Sequence, residues 1–318
     1  MYGIVNSRVI ELGMASRLAG LGRAARAWFK ASRPASQLYI LVPLLAGQLY
    51  ARSAGRGFDW GAAALVHAFG LFLQLFIVYA NDLADVATDR LNRTFTPFSG
   101  GSRVLVDGDL TGPALRRGAA AAALLSLASC ATLGAIAGSW LPVALCALSL
   151  LMLGAYSYPP LRLNYRGGGE LLQMLGTGLL LPVFGYVAQS GELSGFPAQV
   201  MAVLLPTALG CAVSTSLPDE ISDRASGKRS ATVLLGSRGA QLVTVLLHVA
   251  SLATLAWMLA GDGGFGRAWL LVPGATAIAG QVACFGGHPG SRRLLLFGLA
   301  SIAATLALTL ASAGALAL

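Results

Sequence analysis

The chain has 318 residues, of which 56% are hydrophobic and only 11% are charged, and its mean hydropathy is +0.70. A soluble protein carries roughly 25% charged residues, so this chain has too few to cover a water-facing surface. The composition nearly excludes a soluble enzyme, and it argues against a disordered or nucleic-acid-binding chain although the net charge is +9.

Nine stretches of the chain are long and apolar enough to cross a membrane, which requires about 20 mostly apolar residues. They lie at residues 36–52, 60–81, 114–136, 140–158, 169–189, 197–217, 239–260, 267–286 and 294–316. The fold class predicted from them is all-α, a polytopic membrane protein with about nine transmembrane helices. Residues 1–33 are predicted to form a basic cytoplasmic N-terminal segment, and residues 34–318 the nine-helix transmembrane domain.

Within the N-terminal segment, basic and large apolar residues are interleaved between residues 17 and 30. This pattern is typical of an amphipathic helix that lies on a membrane surface. A frayed tail is the alternative.

Positive charges are distributed unevenly between the two predicted sides of the membrane. With nine spans, 19 of the 22 Lys and Arg residues share one side with the N-terminus, and the other side holds only Arg52, Arg56 and Arg267. Positively charged loops are retained in the cytoplasm. We therefore expect a multi-pass protein of the inner cell membrane whose N-terminus and acid-bearing loops are cytoplasmic.

Acidic residues concentrate at the ends of the second and sixth predicted spans. The first cluster is Asn81, Asp82, Asp85 and Asp89, and the second is Asp219 and Asp223. Helical spacing brings the carboxylates of each cluster onto a shared face of its helix.

Carboxylates crowded at a membrane boundary repel one another and are costly to desolvate. Mg²⁺ removes that cost, because it prefers oxygen ligands and is commonly shared between carboxylates and a substrate phosphate. The two clusters therefore predict a site for Mg²⁺ and a phosphorylated substrate. Solvated loop charge is one alternative. A cation-coupled transport site is another, although such sites more often lie near the bilayer midplane.

Basic residues follow each acidic cluster and are candidates for binding phosphate oxygens. The candidates are Arg93, Arg103, Lys228 and Arg229. For each of them, anchoring on the cytoplasmic side is the alternative explanation.

These motifs resemble those of the UbiA superfamily of intramembrane prenyltransferases. Residues 81–89 match its N-D-x-x-D-x-x-x-D motif, and residues 219–223 match the D-x-x-x-D motif after its sixth span. Residues 227–230 resemble the G-K-R-[ST] that often follows, and residues 33–36 resemble the R-P-x-[ST] that opens the first helix. Residues 156–170 are similar to the Y-S-x-P-P-x-R-L…R-G-x-G-E stretch of the menaquinone branch, the 1,4-dihydroxy-2-naphthoate prenyltransferases.

The resemblance implies a role for each candidate residue in a UbiA-like bundle. The implied metal and catalytic site comprises Asn81, Asp82, Asp85, Asp89, Asp219 and Asp223. The side chains implied to neutralise the diphosphate are those of Arg93, Arg103, Lys228 and Arg229. Tyr156 and Tyr158 would flank an allylic cation or orient the acceptor, with an interfacial aromatic role as the alternative. Arg162 would shape the acceptor side, with a purely structural loop role as the alternative.

The function implied by the resemblance is a Mg²⁺-dependent transfer of a prenyl group from a prenyl diphosphate to an aromatic quinone precursor, with release of pyrophosphate. The implied pathway is menaquinone biosynthesis, and the partners are the two substrates and the lipid bilayer. Another acceptor within the superfamily is the alternative: 4-hydroxybenzoate, a chlorin, a haem, glycerol phosphate, or phosphoribose with a polyprenyl phosphate. A cation-coupled transporter is a third hypothesis.

Overall fold

A computed structural model describes residues 20–96, 100–261 and 265–317. The structure is 81% helical and has no strands in these ranges. Its helices are α1 (20–32), α2 (Leu38–Ser53), α3 (Trp60–Leu91), α4 (Gly112–Ala137), α5 (Leu141–Ser157), α6 (Leu163–Arg166), α7 (Gly169–Leu175), α8 (Leu181–Ser190), α9 (Met201–Ser216), α10 (Glu220–Ala225), α11 (Ala231–Gly261), α12 (Val272–Ala283) and α13 (Arg292–Ala317). A π-helical turn (Gly176–Leu180) joins α7 to α8.

Each of the nine predicted spans contains helical structure, and the prediction of an all-helical membrane fold is confirmed. Six helical stretches in the described ranges are long and apolar enough to cross a membrane, so the protein is a multi-pass membrane protein. The helices in the other three predicted spans, α2, α5 and α12, are shorter, with 16, 17 and 12 residues. The number of nine spans therefore stays a prediction.

Two helix boundaries differ from the predicted spans in ways that affect the site. Helix α3 continues to Leu91 instead of ending near residue 81, so the first acidic cluster lies on its last three turns. Neither Gly nor Pro interrupts this part of the helix, and hydropathy alone does not detect a helix that leaves the apolar layer. Helix α11 begins at Ala231, before the predicted span at 239, and is broken at Gly236, where φ is 70°.

Helices α2 and α8 approach each other through glycines. A Cβ atom at Gly47 would overlap the carbonyl oxygen of Pro182, and one at Gly185 would overlap that of Leu44. Small residues allow this close backbone contact between membrane helices. The contact holds α2 and α8 together on one wall of the bundle, where Phe69 of α3 packs on Phe184 with 4.4 Å between ring centroids.

In the N-terminal segment, residues 1–19 lie outside the described residues, and residues 20–32 form α1. Leu21 and Phe29 on α1 are exposed, while Ala31 is buried. The Trp28 ring packs edge-on against Tyr79 of α3 with 5.5 Å between centroids. One face of α1 therefore packs on the bundle, and the other carries exposed apolar side chains.

Candidate active site

The two acidic clusters line one cavity of about 310 Å³. Its polar end lies between the last turns of α3 and the α9–α10 stretch, because α10 packs directly against α3. The predicted site residues on its wall are Asn81, Asp85, Asp89, Tyr156, Asp219, Asp223 and Lys228. Residues more than 100 positions apart in the chain thus share one chamber.

Lys228 joins the two clusters. Its ammonium lies 2.9 Å from Oδ2 of Asp85 on α3 and 3.7 Å from Oδ1 of Asp223 on α10. Burial alone would lower the pKa of Lys228, but the carboxylates of Asp85 and Asp223 outweigh burial and raise the pKa above its ordinary value. Lys228 is therefore a permanent positive charge between two acidic segments.

Asn92 makes a second link between the clusters. It follows the last residue of α3, and its Nδ2 donates a hydrogen bond to Oδ1 of Asp219 at 2.7 Å. Beside it, the Thr94 hydroxyl donates to the carbonyl oxygen of Pro218 at 2.6 Å. Sequence analysis missed Asn92. The only available signal was a polar residue beside the motif, and nothing in the sequence relates it to residue 219.

Asp82 lies away from the cavity wall. It is only 2% exposed, and its carboxylate accepts hydrogen bonds from the Arg33 guanidinium and the Ser102 hydroxyl. Arg33 itself lines the cavity and has a left-handed backbone with φ of 43°. Asp82 therefore connects the segment between α1 and α2 to the loop after α3, while Asp85 and Asp89 face the chamber.

Arg103 also lies off the cavity wall, behind the end of α3. Its Nη1 donates to the carbonyl oxygens of Asp89 at 3.0 Å and Asn92 at 3.3 Å. Carbonyls at a helix C-terminus lack partners within the helix, and a cation there is favourable. Between α3 and Arg103, the backbone at Gly101 passes so close to Asp89 that a Cβ atom would overlap its carboxylate.

The remaining predicted basic residues lie outside the chamber wall. Arg93 and Arg229 are exposed. The Arg162 guanidinium stacks on the Tyr165 ring, with 3.6 Å from Cζ to the centroid. Among the described residues, Arg33 and Lys228 are thus the basic side chains that line the cavity.

The two predicted tyrosines at the end of α5 have different surroundings. Tyr156 lines the cavity together with the carboxylates. Tyr158 is 37% exposed and lies off the wall, and its hydroxyl donates to the carbonyl oxygen of Ala80 at 2.6 Å. Between them, the Ser157 hydroxyl donates to Oδ1 of Asn81 at 3.2 Å, which orients that amide.

Tyr165 is a second residue that sequence analysis missed. Its hydroxyl donates to Oδ1 of Asp85 at 3.1 Å and is hydrogen-bonded to the Thr88 hydroxyl at 2.8 Å. Burial and the neighbouring Asp85 carboxylate raise the pKa of Tyr165, so the phenol keeps its proton. The residue lies inside the Y-S-x-P-P…G-E stretch, but the motif itself gives no signal for this position.

Away from the carboxylates the cavity lining is mainly apolar, although Gln74 and Thr177 also line it. Leu73, Ile77 and Val78 of α3 line it, together with Leu153 of α5 and Leu181 of α8. Leu73 precedes Asp85 by twelve residues, which is about 18 Å along a helix. The chamber therefore has a charged end and a long apolar end.

The donor chemistry of the charged end fits a magnesium ion. Within the described ranges, no three His, Cys, Asp or Glu side chains are grouped closely enough to hold a metal ion on their own. Lys228 lies between Asp85 and Asp223 instead, and Asn92 donates to Asp219. Four carboxylates of the two clusters, those of Asp85, Asp89, Asp219 and Asp223, nevertheless face one chamber, which Glu170 also lines. Mg²⁺ is usually bound by one or two carboxylates together with water and phosphate oxygens.

Comparison with solved structures establishes the fold. A UbiA homologue from Aeropyrum pernix K1 aligns with a TM-score of 0.65 and 22% identity, over 85% of this chain and 96% of that one. A UbiA homologue from Archaeoglobus fulgidus, solved with GPP and Mg²⁺, aligns with a TM-score of 0.65 and 18% identity, over 91% and 99%. A digeranylgeranylglyceryl phosphate synthase aligns with a TM-score of 0.58 and 17% identity, over 92% and 99%.

Comparison with curated protein sequences finds no significant match. The sequence model described as the UbiA prenyltransferase family matches residues 40–304, which include both acidic clusters and most of the helical bundle. The chain belongs to the UbiA prenyltransferase family.

Proposed function

We propose that this prenyltransferase transfers a prenyl group from a prenyl diphosphate, bound with Mg²⁺, to an aromatic quinone precursor similar to 1,4-dihydroxy-2-naphthoate. The main observation in support of this proposal is that two distant acidic segments and Lys228 meet at the charged end of one cavity, and that the other end of the cavity is mainly apolar. The charged end suits a diphosphate and the apolar end suits an isoprenoid tail.

The similar solved structures support the donor and the metal. UbiA homologues from Archaeoglobus fulgidus were solved with GPP and Mg²⁺ and with DMAPP and Mg²⁺. In the present chain, Asp85, Asp89, Asp219 and Asp223 are the residues that would hold Mg²⁺. When bound, the ion supplies Lewis-acid stabilisation of the departing pyrophosphate.

The chain's own side chains provide the remaining functions. Lys228 binds diphosphate oxygens as a point charge, and Arg33 adds a second cation at the same end. The bond between the prenyl C1 atom and the diphosphate breaks with its electron pair on the leaving oxygen, and the acceptor ring attacks C1. The attacked ring carbon then loses its substituent, a proton or the carboxylate as CO2, and the electron pair of that bond restores the aromatic ring. Tyr156, which lines the same cavity, presents an aromatic ring to the developing allylic cation.

The apolar part of the chamber holds the prenyl tail and excludes water. Leu73, Ile77 and Leu153 line it, and burial of the tail against such side chains contributes about 25 cal/mol for each Å² removed from water. A dry site also protects the allylic cation from capture by water.

The choice of acceptor rests on the sequence of residues 156–170, which is similar to that of 1,4-dihydroxy-2-naphthoate prenyltransferases. This similarity supports a role in quinone, specifically menaquinone, biosynthesis. The similarity in fold to a digeranylgeranylglyceryl phosphate synthase keeps a glycerol phosphate acceptor as the alternative to be tested. The excess of positive charge near the acidic clusters supports a cytoplasmic location of the site in the inner membrane.

The test is a release assay on the purified protein in detergent. Geranyl diphosphate and Mg²⁺ are supplied with each acceptor of a panel that includes 1,4-dihydroxy-2-naphthoate, 4-hydroxybenzoate and glycerol phosphate, and pyrophosphate and prenylated product are measured. We expect pyrophosphate release with the naphthoate, matched by a prenylated product in the mass spectrum. Product with another acceptor alone would contradict the proposed acceptor. Ion-driven uptake by the protein reconstituted in sealed vesicles, without pyrophosphate release in detergent, would favour a transporter.

Matched variants test the site. Asp85→Asn and Asp219→Asn should each lower the rate of pyrophosphate release by at least about 100-fold, because each removes a charge that the proposed magnesium–diphosphate complex needs. Asp59→Asn is the control: Asp59 caps the opposite end of α3 by accepting from the Ala62 amide, and Asn caps equally well. Near-normal rates in both site variants would contradict the assignment of the acidic clusters.

A further inference from the structure

Two cations lie near the ring of Tyr165. Its ring centroid is 3.6 Å from Cζ of Arg162 and 5.0 Å from Nζ of Lys228. Both distances are within the range of about 6 Å over which a cation is attracted to the negative face of an aromatic ring. The ring therefore contributes to the position of the Lys228 ammonium.

The hydroxyl group of the same residue holds the partner of Lys228. It donates to Oδ1 of Asp85 at 3.1 Å, and Oδ2 of that carboxylate accepts from Lys228 at 2.9 Å. The phenol uses its only hydrogen in the hydrogen bond to Asp85. The buried Thr88 hydroxyl, 2.8 Å away, is therefore the donor in its hydrogen bond to the phenol oxygen. Tyr165 thus contacts both members of the Lys228–Asp85 ion pair, one through its ring and the other through its hydroxyl.

The backbone around Tyr165 fixes its position. The four-residue helix α6 begins after Arg162, whose φ is 44°, and ends at Gly167, whose φ is 90°. The Tyr165 amide donates to the carbonyl oxygen of Arg162 at 3.0 Å. Tyr165 lies outside the wall of the cavity, so it reaches the reaction only through Asp85 and Lys228.

We propose that Tyr165 is a positioning residue that fixes the Lys228 ammonium and the Asp85 carboxylate in the orientation that receives the prenyl diphosphate. This inference rests on the proposed function of the cavity. A purely structural role, in which Tyr165 only anchors the loop between α5 and α7, is the competing explanation.

The experiment is a double-mutant cycle read by steady-state kinetics and by calorimetric titration of geranyl diphosphate in the presence of Mg²⁺. Tyr165→Phe removes the hydroxyl and keeps the ring, and Tyr165→Leu removes both. We expect Tyr165→Phe to raise KM for the donor about fivefold to tenfold, and Tyr165→Leu to raise it about tenfold further, with a smaller effect on kcat. Tyr50→Phe, which loses a buried hydrogen bond to Ser312 in the C-terminal part of α13, is the control and should leave KM unchanged.

The decisive comparison is made in the Lys228→Met background. If Tyr165 acts through Lys228, most of the effect of Tyr165→Leu on donor KM and Kd is absent there, because the ammonium that the ring positions is gone. Equal effects of Tyr165→Leu in both backgrounds would overturn the inference. A loss of thermal stability without a change in donor KM would also overturn it, because that result indicates a loop anchor. A wild-type protein that neither binds nor consumes the donor contradicts the proposed function, and the positioning role with it.

Discussion

The ammonium of Lys228 lies 2.9 Å from the carboxylate of Asp85, although 143 residues separate the two in the chain. Both side chains are nearly buried, with 12% and 6% of their surface exposed. Removing one partner of a buried ion pair leaves an uncompensated charge and costs several kcal/mol. The ion pair therefore connects the two acidic segments of the site, and Lys228 is also a candidate contact for the substrate.

Replacement of Lys228 tests this ion pair. We expect Lys228→Met to lower the free energy of unfolding by about 3 kcal/mol and to raise KM for the prenyl diphosphate, because Asp85 and Asp223 lose their shared cation. Lys228→Arg keeps the charge and should recover part of both losses. Thermal unfolding in detergent measures the change in stability, and donor titration measures the change in KM. A Lys228→Met protein with normal stability and normal KM would contradict the ion pairs of Lys228 with Asp85 and Asp223.

The link between Asn92 and Asp219 makes a prediction that depends on charge. Asn92→Ala removes the 2.7 Å hydrogen bond to a partly buried carboxylate, which should cost about 1–3 kcal/mol. Asn92→Asp places a second carboxylate there and should reduce the rate of pyrophosphate release more than Asn92→Ala does. Initial rates at saturating acceptor, together with melting temperatures, compare the two variants. Activity in Asn92→Asp equal to or above that of Asn92→Ala would show that Asn92 does not face Asp219.

Arg103 provides a test that separates structural support from substrate binding. Because its guanidinium donates to the carbonyl oxygens of Asp89 and Asn92, we expect Arg103→Ala to lower stability by about 1 kcal/mol and to reduce kcat. Donor KM should change little. The exposed Arg93 is the control, and Arg93→Ala should leave stability unchanged. An increase in donor KM at unchanged stability would instead assign Arg103 to the diphosphate.

The contact between α2 and α8 predicts a purely steric effect. Gly185→Ala forces a methyl group into the carbonyl oxygen of Leu44 and should lower stability by about 1–3 kcal/mol. Gly154→Ala on α5 is the matched control, because nothing lies within 4 Å of the added atom, and a change of less than about 1 kcal/mol is expected. Melting temperatures of the two variants in the same detergent decide the question, and equal values would exclude the close contact.

Hydropathy and spacing predicted the helical fold and the two acidic clusters, because both signals are local. A run of apolar residues indicates a membrane helix wherever it packs, and a spacing of three or four residues places carboxylates on one face of their own helix. The apolar span predicted at 60–81 ends ten residues before α3 does, because hydropathy does not register the helical turns that carry the acidic residues, although their spacing is helical.

The partners of the acidic residues could not be predicted, because they come from other parts of the fold. No spacing rule relates Arg33 to Asp82, Asn92 to Asp219, or Tyr165 to Asp85. These contacts depend on how the loops after α1, α3 and α5 cross the end of the bundle. The sequence contains the side chains, but their pairing requires the packing of all these segments together.

The late position of Lys228 in the chain has a consequence for the synthesis and membrane insertion of the protein itself. A ribosome delivers α3 to the membrane long before it delivers the loop that carries Lys228, so a nascent chain ending before residue 228 contains Asp85 and Asp223 without their shared counter-charge. We expect such truncated chains to keep the carboxylate end of α3 hydrated, and the chamber to close only when the loop between α10 and α11 has emerged.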